Sequence, residues 1–360
     1  MRVMMQHMGN PFKFGSVVDG EYFTDRNDEL PQVKQIISSR NHLILISPRR
    51  YGKTSLIRKA VKETNRPSIF VNVQAATYAA DLARLLLNRF FDIHPWERIK
   101  DGFKRFRVSP AFTYNPNTNE MEASFKTAKE GGIVLEDVLN LMNEKSDPDN
   151  RLIIILDEFQ EIANYAPGTD KLLRAVMQMH QNVNYIFLGS EESMMRTMFE
   201  DIKSPFFHFG SLMHLSRIPY DDFCRFLSER LTPLCGSRSE EFAHQILDLS
   251  KCQPFYTQQL AAGFWDLYER IGEKATVQSA VEAIIRSVSP SYSFVWTKLS
   301  MPQRIALQYI ARGDKLQDID AFPLSTVYSA VGRLKKDGLI VREEDYEFED
   351  PFFGLWIRAL

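Results

Sequence analysis

Gly52-Lys53-Thr54-Ser55 sets a permissive backbone, an ammonium and two hydroxyls in consecutive positions. An apolar run, Leu43 to Ile46, precedes them, and the basic, turn-rich stretch Ser47 to Tyr51 joins the two. A strand, a loop and a helix start in that order suit a phosphate group. Unpaired backbone N–H groups at a helix start converge on one point, and the helix dipole puts about half a positive charge there. The spacing is that of G-x-x-x-x-G-K-[ST], with Ser47 where the first glycine stands. Ser47, Pro48, Arg49, Arg50, Tyr51, Gly52, Lys53, Thr54 and Ser55 are therefore the candidate phosphate cradle. Gly52 lets the backbone come close to a phosphate. Lys53 reaches the β- and γ-phosphates, and the Thr54 hydroxyl is a ligand for Mg2+. Taken alone, the pattern also fits an ordinary strand–turn–helix with a surface lysine.

A second segment decides between these. Leu152-Ile153-Ile154-Ile155-Leu156 is an unbroken apolar run, followed by Asp157 and Glu158. The run predicts a strand buried on both faces, as in a parallel sheet. Ligands of open α/β sheets sit beyond the carboxyl ends of the strands, where both carboxylates would lie. Asp157 is the candidate metal ligand. Glu158 is the candidate group to orient and polarise a water for attack on a γ-phosphate. A third apolar run, Tyr185 to Leu188, ends in Gly189-Ser190. Ser190 also suits the N-cap of a following helix, Glu191 to Phe199.

The rest of the chain must position these groups. Its 360 residues exceed one ordinary core, so two or three domains are expected. Hydrophobic residues make up 44% and charged residues 25%, the balance of a soluble globular protein. A net charge of −2 gives no global pull toward nucleic acid or an anionic membrane. No apolar run approaches bilayer length, and Met1 to Phe14 carries no secretory core. Cys224, Cys235 and Cys252 are odd in number and lack metal spacing, which suits buried thiols in a cytoplasm. The histidines form no metal motif, so no structural zinc is expected.

Along the chain, helices are predicted at about 28–39, 79–91, 134–143 and 172–180, and a strand at 68–73. Ala111 to Lys126 alternates around Asn115-Pro116-Asn117-Thr118-Asn119, which predicts a hairpin inserted into an α/β core. Alternating strands and helices imply a three-layer sheet. Four helices follow, at 220–231, 239–250, 254–271 and 276–287. Then come helices at 302–311 and 324–337 and short strands at 339–342 and 346–348, the order of a winged helix. The expected division is an α/β core over 1–218, a helical lid over 219–290 and a winged helix over 291–360.

With these pieces, the chain resembles the prokaryotic AAA-type P-loop ATPases of the archaeal group, close to the signal-transduction (STAND) ATPases. The residues that carry the likeness are Phe23-Thr24-Asp25-Arg26-Asn27-Asp28-Glu29-Leu30, Pro48 to Ser55, Leu156-Asp157-Glu158-Phe159, Gly189-Ser190 and the closing Tyr346 to Phe353, from Phe23 to Trp356 in all. The resemblance implies ATP and Mg2+ as ligands, slow hydrolysis, and a switch relayed through the lid to the winged helix. It implies adenine as the base, and no guanine-specific Asn-Lys-x-Asp run stands near the core. In ring-type members a residue at the place of Ser190 contacts the γ-phosphate or the attacking water, which adds Ser190 to Lys53 and Glu158 as a catalytic candidate. The family often has Gly-Arg before the lid. Here the corresponding dipeptide is read as Gly210-Ser211, and Arg217, Arg49 and Arg196 are the arginines left to reach the phosphates. An arginine at that place is worth roughly 10³ to 10⁵ in rate.

The winged helix raises a second reading, a nucleotide-gated DNA-binding protein similar to the initiator ATPases, with Arg333, Lys335 and Lys336 near the backbone. Charge disfavours it. The wing carries Glu343, Glu344, Asp345, Glu347, Glu349 and Asp350 against Arg342, and phosphates would repel it. A protein partner or self-association is the favoured output, with no membrane contact. Phe352, Phe353 and Trp356 suit either a core or a docking patch. Some relatives add a nuclease domain after the winged helix, and none is expected before Leu360.

Overall fold

The computed structural model describes residues 9–360 apart from 17, 19, 24, 25, 116–119, 126–129 and 343. The chain forms two compact units, residues 26–216 and the lead-in to residue 25 together with 217–360.

The first is the sheet unit. In order it contains α1 (Glu29–Ser38), β1 (Leu43–Ile46), α2 (Lys53–Thr64), β2 (Ser68–Asn72), α3 (Ala79–Phe91), α4 (Trp96–Ile99), β3 (Ala111–Asn115), β4 (Glu120–Ser124), α5 (Gly131–Lys145), β5 (Leu152–Asp157), α6 (Thr169–Met177), β6 (Val183–Gly189), α7 (Glu192–Phe199) and β7 (Ser211–His214). Five strands pair in the order β2-β5-β6-β1-β7, every pair parallel. All of β1 and β6 is buried, as is β5 up to Leu156. That is why the sequence shows unbroken apolar runs there rather than alternation. Helices cover the sheet, as the three-layer expectation required. The parallel register brings Ile46, Asp157 and Gly189 to one edge of the sheet. Whatever follows those three residues shares that edge.

The inserted hairpin pairs β3 with β4. It stands on an aromatic cluster of Phe91, Trp96, Phe103 and Phe112, with Trp96 and Phe112 centroids 4.8 Å apart. Its turn, Pro116 to Asn119, and Lys126 lie outside the described residues, as do Thr24, Asp25 and Glu343.

The second is the helical unit. It contains α8 (Tyr220–Cys235), α9 (Ser239–Ser250), α10 (Pro254–Ile271), α11 (Val277–Lys298), α12 (Met301–Arg312), α13 (Leu324–Lys336), β8 (Ile340–Arg342), β9 (Tyr346–Phe348) and α14 (Pro351–Arg358). Three features differ from the sequence reading. First, α11 does not stop at Ser287 but runs through Pro290 to Lys298, so the boundary set at 290/291 falls inside one helix. Tyr292, Val295 and Trp296 continue its apolar side, and their packing outweighs the lost Pro290 hydrogen bond. Second, the lead-in groups here rather than with the core assigned to 1–218. Phe12 is buried against Trp265 and Phe226, and Asn10 Nδ2 donates to the Ala262 carbonyl at 3.1 Å. Third, a last helix, α14, follows β9. Asp350 caps it, accepting from the Phe352 and Phe353 amides at 2.9 and 3.2 Å. Phe352 and Phe353 are buried, each in a different hydrophobic cluster, so both are core.

Candidate functional site

The loop after β1 takes its shape from two left-handed residues, Arg50 at φ 67° and Gly52 at φ 88°. A side chain at Gly52 would meet no atom within 4 Å, so the backbone angle is what requires glycine there. Ser47 is not among the left-handed residues, and a Cβ is tolerated at that place. Its amide donates to the Gly189 carbonyl at 3.4 Å and its hydroxyl to the Pro48 carbonyl at 3.1 Å. The departure from glycine is thereby accommodated locally. Lys53 is buried, and its ammonium donates to the Ser47 and Pro48 carbonyls at 2.9 and 3.1 Å, spanning the loop. Tyr51 and Ser55 are buried as well.

Arg26 holds this loop from behind, a role the sequence did not reveal. Its guanidinium is buried. It donates to Glu29 at 2.7 Å, to the Ser216 carbonyl at 2.8 Å and to the Tyr51 carbonyl at 3.0 Å. One fork thus ties the loop before α2 to the segment after β7.

The second motif meets the first. Thr54 Oγ1 donates to Asp157 Oδ2 at 3.2 Å, across 103 positions of sequence. The Asp157 carboxyl is pushed above the usual carboxylate range, first by burial and then by Glu158, against the pull of Lys53. A cation beside the Thr54 hydroxyl and the Asp157 carboxylate would relieve that cost, so this donor set fits Mg2+. Glu158 has φ 52°, a left-handed angle rare for a residue with a side chain. Its Oε2 accepts from Ser190 Oγ and from Gln160 Nε2, both at 2.6 Å.

Ser190 follows β6, which lies between β5 and β1 in the sheet. It is buried, and its hydroxyl serves Glu158 rather than the start of α7, whose N-cap is Glu191. Arg49 Nε donates to Ser190 Oγ at 3.4 Å. Of the three arginines considered, Arg49 reaches a site residue. Arg196 pairs with Glu200 and Arg217 with Glu347. Gly210-Ser211 stands at the wrong end of β7 to serve the site. Ser211 pairs with Leu43 at the start of β1, and a Cβ at Gly210 would collide with the His42 carbonyl. Gln160 was also missed. A glutamine two positions past an Asp-Glu pair carries no signal until the turn after β5 folds it back.

The described residues contain no group of three or more metal-ligating side chains preformed for a metal, and no helix long and apolar enough to cross a membrane.

The fold has relatives among solved structures. A Walker-type ATPase of Pyrococcus abyssi superposes with a TM-score of 0.66 at 19% identity, covering 94% of this chain and 97% of that one. The ADP form of the Aeropyrum pernix ORC2 protein gives 0.53 at 13% identity, over 97% and 100%. The Aeropyrum pernix ORC1 protein, solved in complex with DNA, gives 0.50 at 14%, over 93% and 92%. At these identities the likeness is one of fold. No curated protein matches the sequence significantly. Residues 23–256 match the family described as an ATPase domain predominantly from Archaea, a span that holds the phosphate loop, Asp157-Glu158 and Ser190 but ends before the last hundred residues. With the loop, the carboxylate pair and a five-stranded parallel sheet in one arrangement, the chain belongs to that ATPase family.

Proposed function

We propose that the chain binds ATP with Mg2+ at the loop of residues 47–55 and hydrolyses it slowly, as a nucleotide-driven switch. The observation that carries this reading is the Thr54–Asp157 hydrogen bond beside the Lys53 ammonium. The loop amides and Lys53 bind the phosphates. Thr54 and Asp157 would hold the metal, which would offset negative charge on the phosphate oxygens. Glu158 orients the attacking water, and Ser190 and Gln160 fix the carboxylate that does so. Arg49 is the candidate to steady charge on the γ-phosphate. The cytoplasm is the proposed location, and self-association or a protein partner the proposed output.

Turnover tests the assignment. Glu158→Gln keeps ATP affinity within about twofold and lowers hydrolysis by at least 10²-fold. Hydrolysis at the parental rate by that variant would remove Glu158 from the role.

A second reading, a nucleotide-gated DNA-binding output, gains from two observations. The wing is less acidic than its sequence suggests, because Glu347 pairs with Arg217 at 2.6 Å. Ser325, Thr326, Ser329 and Arg333 line an open cavity of about 380 Å³ along α13. The α12–α13–β8–β9 segment has the element order of a winged helix, with α13 the helix that would face the groove. A gel shift with duplex DNA at low salt, abolished by Arg333→Glu, supports this reading. No shift with or without ATP removes it.

A further inference from the structure

The sheet has a second charged edge, opposite the phosphate loop. Arg66 precedes β2, His42 precedes β1, Arg151 precedes β5 and Gly210 precedes β7. Asn184, near the start of β6, ties them together. Its Oδ1 accepts from Arg66 at 2.7 Å, and its Nδ2 donates to the Asn41 carbonyl at 2.8 Å. Arg66 also donates to the Ile37 and Arg151 carbonyls, and Arg151 to the Ser39 carbonyl at 2.5 Å. Arg174 lies over the Phe209 ring at 4.4 Å, and His42 packs on the same ring at 4.6 Å. Arg40 stands exposed between Ser39 and Asn41.

Among the described residues no carboxylate pairs with Arg40, Arg66, Arg151 or Arg174. Carbonyl partners orient a guanidinium but leave its charge in place. The mutual repulsion is felt. Burial and then Arg151 bring Arg66 down to about 10, and burial and then Arg40 lower Arg151. A cavity of about 410 Å³ opens at this edge, lined by Arg40, Asn41, His42, His208, Gly210 and Ser211 together with Phe209. His42, one of the lining residues, has a fixed tautomer. Its Nδ1 accepts from the Tyr185 amide at 3.1 Å, so the neutral ring carries its proton on Nε2.

We propose that this cavity is a second anion site, distinct from the phosphate loop, and that its ligand is a phosphate-bearing anion. Arg40, the His42 Nε2–H and His208 contact it, while Arg66, Arg151 and Arg174 supply field from behind. The volume, at the low end for ligand pockets, suits one or two phosphate groups. Arg66 and Arg151 have a purely structural use as well, because they satisfy carbonyls where the strands begin. Arg40 and His208 do not share it. Both are exposed, and among the described residues neither side chain makes a hydrogen bond or an ion pair.

The test uses the full chain carrying Lys53→Ala, so that the phosphate loop contributes least, and inorganic tripolyphosphate as the probe. Calorimetry at low salt is expected to show saturable binding that weakens at least tenfold when Arg40→Glu is added. The His42 imidazole, followed by NMR, is expected to titrate at higher pH once the probe is bound. No saturable binding, or binding indifferent to both Arg40→Glu and His208→Ala, overturns the proposal. A duplex oligonucleotide then separates the sources. Retardation that Arg40→Glu abolishes makes a nucleic-acid backbone the ligand, and retardation indifferent to Arg40 makes it a free phosphate compound.

Discussion

Ser190 donates its hydroxyl to Glu158 Oε2 at 2.6 Å, and the two residues follow neighbouring strands of the sheet, β6 and β5. That bond gives the carboxylate one direction. Gln160 adds a second donor to the same oxygen. The left-handed backbone at Glu158 is what turns the side chain toward both donors.

Removing the Ser190 hydroxyl leaves the carboxylate held by Gln160 alone. Ser190→Ala is expected to lower turnover by about tenfold to a hundredfold, with ATP affinity within about twofold. Steady-state hydrolysis and a binding titration check it. A variant that loses affinity and keeps its rate would show Ser190 to be a binding group instead.

Arg26 acts through the loop, not on the nucleotide. Arg26→Lys keeps the charge but cannot reach Glu29, Ser216 and Tyr51 at once. It is expected to destabilise the protein by about 1 to 3 kcal/mol, from charged hydrogen bonds lost in a buried setting, and to raise KM for ATP more than it lowers kcat. Thermal unfolding and kinetics read the two effects separately. Unchanged KM in a destabilised variant would limit Arg26 to the fold.

Much of this was legible before any coordinates. The phosphate loop, the Asp157-Glu158 pair and Ser190 announced themselves because each follows an apolar run whose burial forces strand structure. What stayed hidden depends on long-range placement. Ser211-Leu212-Met213-His214 is too short and too mixed to read as a strand, yet it pairs with all of β1. Gly210-Ser211, read as the counterpart of the family's Gly-Arg dipeptide, is put by that pairing at the edge opposite the phosphate loop. The helix starting near 276 reads in the sequence as ending at 287, because the packing that carries α11 on past Pro290 to Lys298 is not a local fact. Arg26 and Gln160 are ordinary residue types whose partners lie across turns.

Asp157 imposes a cost that a metal would lift. Its carboxyl is raised by burial and by Glu158, so between the ordinary carboxylate value and the raised one the folded state holds more protons than the unfolded state. Stability therefore falls as pH rises through that window, and the cost is complete above it. At neutral pH without Mg2+, Asp157→Asn is expected to raise the Tm, while the added stabilisation from ATP with Mg2+ largely disappears. A melting series with and without ligand checks both. A lower Tm would show that the ionised carboxylate stabilises the fold.

Two histidines set the acid limit. His42 and His180 are each brought from 6.5 down to about 4, chiefly by burial. His180 bridges the Tyr185 hydroxyl at 2.7 Å and Asn140 Oδ1 at 3.0 Å. As pH falls from about 6.5 toward 4 the unfolded chain takes up protons that the folded chain does not, so stability is lost across that window. Each imidazole contributes about 1.4 kcal/mol per pH unit. His180→Gln is expected to reduce the slope of stability against pH by one such increment. Denaturant midpoints at several pH values measure it, and an unchanged slope would contradict the burial argument.

The central claim is that main-chain amides and Lys53 grip a triphosphate, and that Thr54 and Asp157 are the residues that would hold its metal. Calorimetric titration of the purified chain with ATP and Mg2+ tests it most directly. One molecule of ATP per chain, with binding lost in Lys53→Ala and weakened when Mg2+ is withheld, is the predicted result. No uptake by the parental chain, or equal uptake by Lys53→Ala, would contradict it.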